Sequence, residues 1–195
     1  MDVLTLSLAF TFFIVANPIG NSPVILALIK DFDYAKQKQI MFREAILAFF
    51  LALFFQFFGE LFLGLLHVQS YSLTYCGGIL LFLVAISMIF PTLPEEVKGM
   101  KREPYFVPIA TPLISGPGLM TVIMAKSQEI DSWWVITLAI LLSWIPVTLA
   151  LVGSPLMQRV LKRRGMIALE QLMGMILMLI SVEMILSATI KYLNA

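Results

Sequence analysis

The residues with the strongest claim to chemistry lie where an apolar chain has least use for them. The stretch "ANPIGNSP", Ala16 to Pro23, interrupts the first hydrophobic run with two prolines, a glycine, two asparagines and a serine. Proline removes a backbone donor and biases the residue before it out of the α region, so Asn17, before Pro18, predicts the end of one half-helix. Ser22 before Pro23 has the form of an N-cap followed by proline at the first helical position, which predicts a restart. Such a break leaves carbonyls of one half-helix and amides of the next unpaired. The carbonyl end suits a cation and the amide end an anion such as a carboxylate, so a zwitterionic amino acid would match both. Gly20 leaves room at the backbone, while Asn21 and Ser22 add hydrogen-bonding side chains.

The pattern recurs. Shifting the chain by 94 residues lays "ANPIGNSP" on "ATPLISGP", Ala110 to Pro117, with the alanine and both prolines coinciding. Asn21 then meets Ser115, and Ser22 meets Gly116. Thr111 before Pro112 predicts a second stop, and Gly116 before Pro117 a second restart. A single break of this kind could simply kink a helix for packing. Two related, polar breaks favour a binding site, because unpaired backbone groups at membrane depth are tolerated only inside protein or around a cavity.

The elements that must position these breaks follow from composition. The 195 residues are 60% hydrophobic and 13% charged, with mean hydropathy +0.95, whereas soluble domains are roughly a quarter charged. Six windows approach the roughly 20 apolar residues that a bilayer requires: 3–29, 45–66, 72–90, 105–125, 133–157 and 171–190. The expected fold is an all-α polytopic membrane protein of six transmembrane helices. Each break opens a set of three spans, so the chain divides into repeats over 1–97 and 98–195 within one integrated membrane domain. Three is odd, so the second repeat starts on the opposite side of the membrane. Inverted repeats with broken helices 1 and 4 are a secondary-transporter architecture.

Lysines and arginines set the orientation. Lys30, Lys36, Lys38 and Arg43, then Lys98, Lys101 and Arg102, then Arg159, Lys162, Arg163 and Arg164 all fall on one side; Lys126 and Lys191 fall on the other. Both termini are therefore expected outside a cytoplasmic (inner) membrane. Met1-Asp2-Val3 lacks a positive signal-peptide region, so the first span is expected to be retained. With a net charge of +1 and no basic block, nucleic acid is not an expected partner. A small-molecule substrate and membrane lipid are, and the oligomeric state is not legible.

Polar groups inside the spans are the remaining candidates. Gln56 and Glu60 stand one turn apart in span 2, and Glu183 lies past the middle of span 6. Intramembrane carboxylates are expensive and mark coupling or substrate paths by default. For Glu60, snorkelling toward His67 is an alternative; for Glu183, a protonated structural acid is. Glu44 and Glu170 read as interfacial ion pairs at span ends. A lone histidine, His67, and a lone cysteine, Cys76, allow neither an HExxH zinc site nor an intrachain disulfide. No GxSxG or phosphate loop occurs either, so an enzyme is not expected, nor any cofactor or metal beyond coupling protons or sodium.

Together "NPIGNSPVILALI", "RE" at the start of span 2, "FFGE", "GGILLFLVAISMIFP", "PLISGPG" and "ALEQLMG" resemble the MarC family of bacterial and archaeal inner-membrane proteins. The resemblance spans nearly the whole chain. It implies a transporter-like protein distantly similar to LysE-type exporters, with small neutral amino acids such as glycine and alanine as the substrate class. It carries over Asn17, Pro18, Gly20, Asn21, Pro23, Glu60, Pro112, Gly116 and Pro117. Glu183 departs from it, standing where an uncharged polar residue such as Gln is usual. The competing expectation is a non-transport inner-membrane protein with a structural or envelope-stress role.

Overall fold

The structure, a computed structural model, describes residues 2–90 and 114–193. Its elements are α1 (Val3–Ala16), α2 (Pro18–Leu28), α3 (Tyr34–Leu66), α4 (Ser70–Ile89), α5 (Pro117–Glu129) and α6 (Trp133–Leu193). No strand occurs among the described residues. Five described segments are long and apolar enough to cross a membrane: Val3–Leu26, Tyr34–Gly59, Tyr71–Ile89, Trp133–Lys162 and Arg164–Leu193. Of the expected fourth span, 105–125, only the portion from Ile114 onward is described. Thr111 and Pro112 lie outside the described residues.

Two expected loops are helical instead. α3 starts at Tyr34, eleven residues before the expected Ala45. Asp33 has extended backbone and accepts the Lys36 amide at 3.4 Å, and the strong helix formers that follow continue the turn. α6 runs through the expected connection after 157, and its direction changes at Lys162, where φ is 54° and ψ −175°.

Side-chain contacts fix the directions. Gln56 meets Trp133 and Thr137, Ala45 accepts the Trp144 indole, and Met41 meets Ser154. The first arm of α6 therefore runs antiparallel to α3. Tyr71 and Tyr192 pack edge to face with centroids 5.6 Å apart, and Gln171 donates to the Ile89 carbonyl at 3.1 Å. The second arm is thus antiparallel to α4, and the two arms oppose each other across Lys162. α5 lies along both, with Gly118 against Leu81, Thr121 against Gly77 and Met124 against Gly59.

The bundle has two chemically distinct ends. Lys38 and Arg159 both lie 4.5 Å from the Tyr34 ring at the basic end. At the aromatic end Trp133 and Trp134 stack at 3.8 Å, and Glu129 bridges Lys126 and Lys191, tying α5 to the end of α6. Between them Phe12, Ile25, Ile40, Ile123, Ile136 and Ile140 are fully buried, yet Phe50, Leu149 and Leu179 stay well exposed. An exterior this apolar matches hydrocarbon and would be untenable in water. Glycines set the closest contacts: a Cβ on Gly78 would meet Ile185 at 2.8 Å, and one on Gly174 would meet Met88 at 2.9 Å, the small-residue packing that lets membrane helices approach.

Candidate functional site

The first break is real, and one residue makes it. Asn17 adopts a left-handed conformation, φ 49° and ψ 50°, closing α1 with its amide on the Phe13 carbonyl at 3.1 Å. Asparagine tolerates this region better than other side-chain-bearing residues. Its Oδ1 accepts the Gly20 amide at 3.2 Å and caps α2. Its Nδ2 donates to the Met88 sulfur at 3.1 Å, which fixes the break against α4. The whole residue is buried.

The restart differs from expectation. α2 begins at Pro18, so Ser22 is not an N-cap and Pro23 lies inside the helix. With Asn17 already supplying the cap, Pro18 takes the first helical position, where a missing N–H has no consequence. Ser22, fully buried, turns its hydroxyl back onto the Pro18 carbonyl at 2.6 Å. Pro23 removes the donor that the Ile19 carbonyl would otherwise take. Asn21 donates its side-chain amide to the Ala16 carbonyl at 3.3 Å, at the end of α1. The polar side chains of this stretch therefore serve the break's own backbone.

The second break is built differently. Gly116, extended at φ −75° and ψ 171°, precedes α5, whose first residue is Pro117, and no side chain caps it. Beside it Ser115 is fully buried and donates to the Ala48 carbonyl in mid-α3 at 2.7 Å. The first-turn amides of α5 thus lack the side-chain acceptor that Asn17 gives α2, and the helix dipole leaves them electropositive.

Both breaks lie along one face of α4. Asn17 contacts Met88, and Gly118, in the first turn of α5, sits against Leu81. Leu81, Ala85 and Met88 are all buried, and seven residues separate the two contacts by about 10 Å along the helix.

The other predicted site residues do not join this cluster. Gln56 faces the first arm of α6, donating to the Trp133 carbonyl at 3.0 Å and the Thr137 hydroxyl at 2.7 Å. Its buried Oε1 has no hydrogen-bond partner among the described residues. Glu60 lies a turn further toward the aromatic end, and its side chain is outside the described set. Glu183 is exposed on the outer face of α6, two residues from buried Ser181, which on a helix is nearly the opposite side. A groove of about 590 Å³ between Tyr71, Tyr75, Thr189 and Tyr192 is at the aromatic end, away from both breaks.

One residue read as interfacial belongs inside. The Glu44 side chain is 0% exposed, and its Oε1 accepts from Arg43 Nε at 3.0 Å and Nη2 at 2.8 Å. It stands one turn from Ala48, the residue that holds Ser115. The available signal was the spacing Ile40, Glu44, Ala48, Ala52, four apart and all buried.

The MarC family integral membrane protein profile matches residues 3–193. The chain is 34% identical over 184 residues to the UPF0056 inner membrane protein YhgN of Escherichia coli (strain K12), covering 93% of each. It is 33% identical over 186 residues to a UPF0056 membrane protein of Buchnera aphidicola subsp. Baizongia pistaciae, covering 93% of this chain and 94% of that one. A UPF0056 membrane protein of Chlamydia trachomatis is 34% identical over 184 residues, with 93% and 90% covered. No solved structure matches. With a profile match across the membrane helices and these relatives along nearly the full length, the chain belongs to the MarC family of integral membrane proteins.

Proposed function

We propose that this protein is a secondary transporter of small neutral amino acids, glycine- or alanine-like, or of similar small polar solutes, working by alternating access. The observation that carries the reading is the pair of buried breaks, at Asn17 and at Gly116, set against one face of α4. Interrupted helices at membrane depth are where such carriers place their substrates. The first-turn amides of α5 suit a carboxylate, and the carbonyl end of α1 suits an ammonium group. A glycine-sized zwitterion presents both groups and little else. In this reading the halves 1–97 and 98–195 are inverted three-span repeats that rock about the breaks, and both termini face outside because the basic loops stay within.

Purified protein in liposomes would be assayed for labelled glycine and alanine uptake, first under a proton gradient and then under a sodium gradient. Uptake in either gradient, reduced by Gly20→Val and Asn21→Ala, supports the carrier and its site. Folded protein with no uptake in either gradient overturns it in favour of a non-transport membrane role. Uptake untouched by both substitutions moves the site away from the first break.

A further inference from the structure

Glu44 has no role in the transport reading so far, yet it is the most deeply buried carboxylate among the described residues. It lies within the apolar segment Tyr34–Gly59, where a charge is retained only for a reason, since a buried pair is a poor way to stabilise a fold. Its partner Arg43 stays 35% exposed, so the pair has one member inside the bundle and the other reaching water. One turn along α3, the Ala48 carbonyl holds Ser115 at 2.7 Å, directly before the uncapped start of α5.

We propose that Glu44 is the proton-binding carboxylate of the transport site, exchanging its bond to Arg43 for a proton; this rests on the transporter reading. A metal cation would need a cage of oxygens, but the nearby α3 carbonyls of Ala45 and Ala48 already accept the Trp144 indole and the Ser115 hydroxyl. The elements packed on α3 add no competing charge at this level. α5 carries none before Lys126, and the first arm of α6 none before Arg159. Arg43, its neighbour on α3, is the described ionisable group in contact.

The step balances simply. A proton from the water that Arg43 reaches binds the carboxylate, the acid becomes neutral, and the guanidinium turns outward with its charge solvated. Nothing is oxidised or reduced. Losing the pair frees the stretch of α3 that anchors Ser115, so proton binding and movement of the second break become one event. A proton bound from one side and released to the other couples solute flux to the pH gradient.

The test uses full-length protein in liposomes, with membrane potential clamped and labelled glycine or alanine as the probe. One proton per solute across one pH unit gives the wild type about tenfold accumulation in one polarity of the gradient. Glu44→Gln is expected to fall to onefold while keeping solute counterflow at equal pH on both sides. Infrared difference spectra between acid and neutral pH should show a buried protonated carboxyl band that Glu44→Gln removes and Glu183→Gln retains. The double variant Arg43→Gln/Glu44→Gln, which leaves no unpaired charge, should match Glu44→Gln and covers the case in which the single variant does not fold. Wild-type accumulation by the folded Glu44 variants overturns the proposal. So does loss of counterflow along with accumulation, which would make Glu44 a solute ligand, and so does an unchanged carboxyl band. If the wild type moves no solute at all, the transport reading fails and coupling with it, while the infrared band separately decides whether Glu44 takes up a proton.

Discussion

The Asn17 side-chain oxygen accepts the Gly20 amide at 3.2 Å while the Asn17 amide closes α1 on Phe13, so one residue both ends the first half-helix and caps the second. Its left-handed backbone, φ 49°, and its capping oxygen impose separate requirements. Alanine fails both: a lost cap costs about 1 kcal/mol and the left-handed conformation roughly another 1 kcal/mol. Glycine fails only the cap, and aspartate satisfies both. Thermal unfolding in detergent micelles should therefore rank wild type and Asn17→Asp highest, Asn17→Gly next and Asn17→Ala lowest. Equal unfolding of all three variants would remove the capping account.

Gly20 tests the same break from the other side. A Cβ there would meet Asn17 Oδ1 at 2.5 Å and collide with the Met88 methyl. Neither neighbour can yield easily, since Asn17 is engaged at both ends of its amide. Gly20→Ala should lower solute uptake at least about tenfold, the loss that a 1.4 kcal/mol displacement of the site produces. Gly64→Ala is the control, because nothing lies within 4 Å of its added methyl and alanine favours a helix. Comparable uptake by both variants would separate the first break from transport.

Much of this arrangement was legible in the sequence, and the omissions have physical causes. Proline after Asn17 announced the stop, but proline chemistry alone offered two restarts, at Pro18 and at Pro23. The choice was made by the Asn17 side chain, which caps from a left-handed backbone that the usual pre-proline preference disfavours. Span count came from hydropathy, but hydropathy locates lipid contact and does not mark where a helix ends. That is why the polar stretches after Asp33 and before Gln171 read as loops and are helical. Glu44 was placed at the interface because it follows Arg43. The two diverge in burial because adjacent helical residues point about 100° apart, one toward water and one toward Ala48's side of the bundle.

The ion cluster at the aromatic end carries a pH signature. Burial pushes the Glu129 carboxyl up, but hydrogen bonds and charge from Lys126 and Lys191 more than offset this and hold it below the usual carboxylate range. A group whose folded pKa is depressed adds stability above its unfolded pKa and loses it as pH falls through the folded one. The stabilisation is thus complete at neutral pH and fades below about pH 4. Glu129 is 36% exposed, so water and salt screen the cluster and hold its worth to roughly 0.5 kcal/mol. Glu129→Gln should unfold at a slightly lower temperature than wild type at pH 7, and the gap should close at acid pH and in high salt. A gap that widened on acidification would contradict this sign.

The reversal between the two arms of α6 rests on Lys162. Its φ of 54° with ψ of −175° lies in a region that glycine enters freely and residues with a Cβ enter only under strain of about 1–3 kcal/mol. Replacing it with glycine relieves that strain, although the unfolded chain gains freedom that returns about 0.4–1 kcal/mol. The balance favours Lys162→Gly by about 1 kcal/mol, a rise of a few degrees in the unfolding midpoint. Proline, fixed near φ −65°, cannot follow the backbone, so Lys162→Pro should lower the midpoint well below wild type. Alanine keeps the Cβ and should behave like the parent lysine. If glycine and alanine shifted the midpoint equally, the effect would come from the lost charge, and the turn would not need a positive φ.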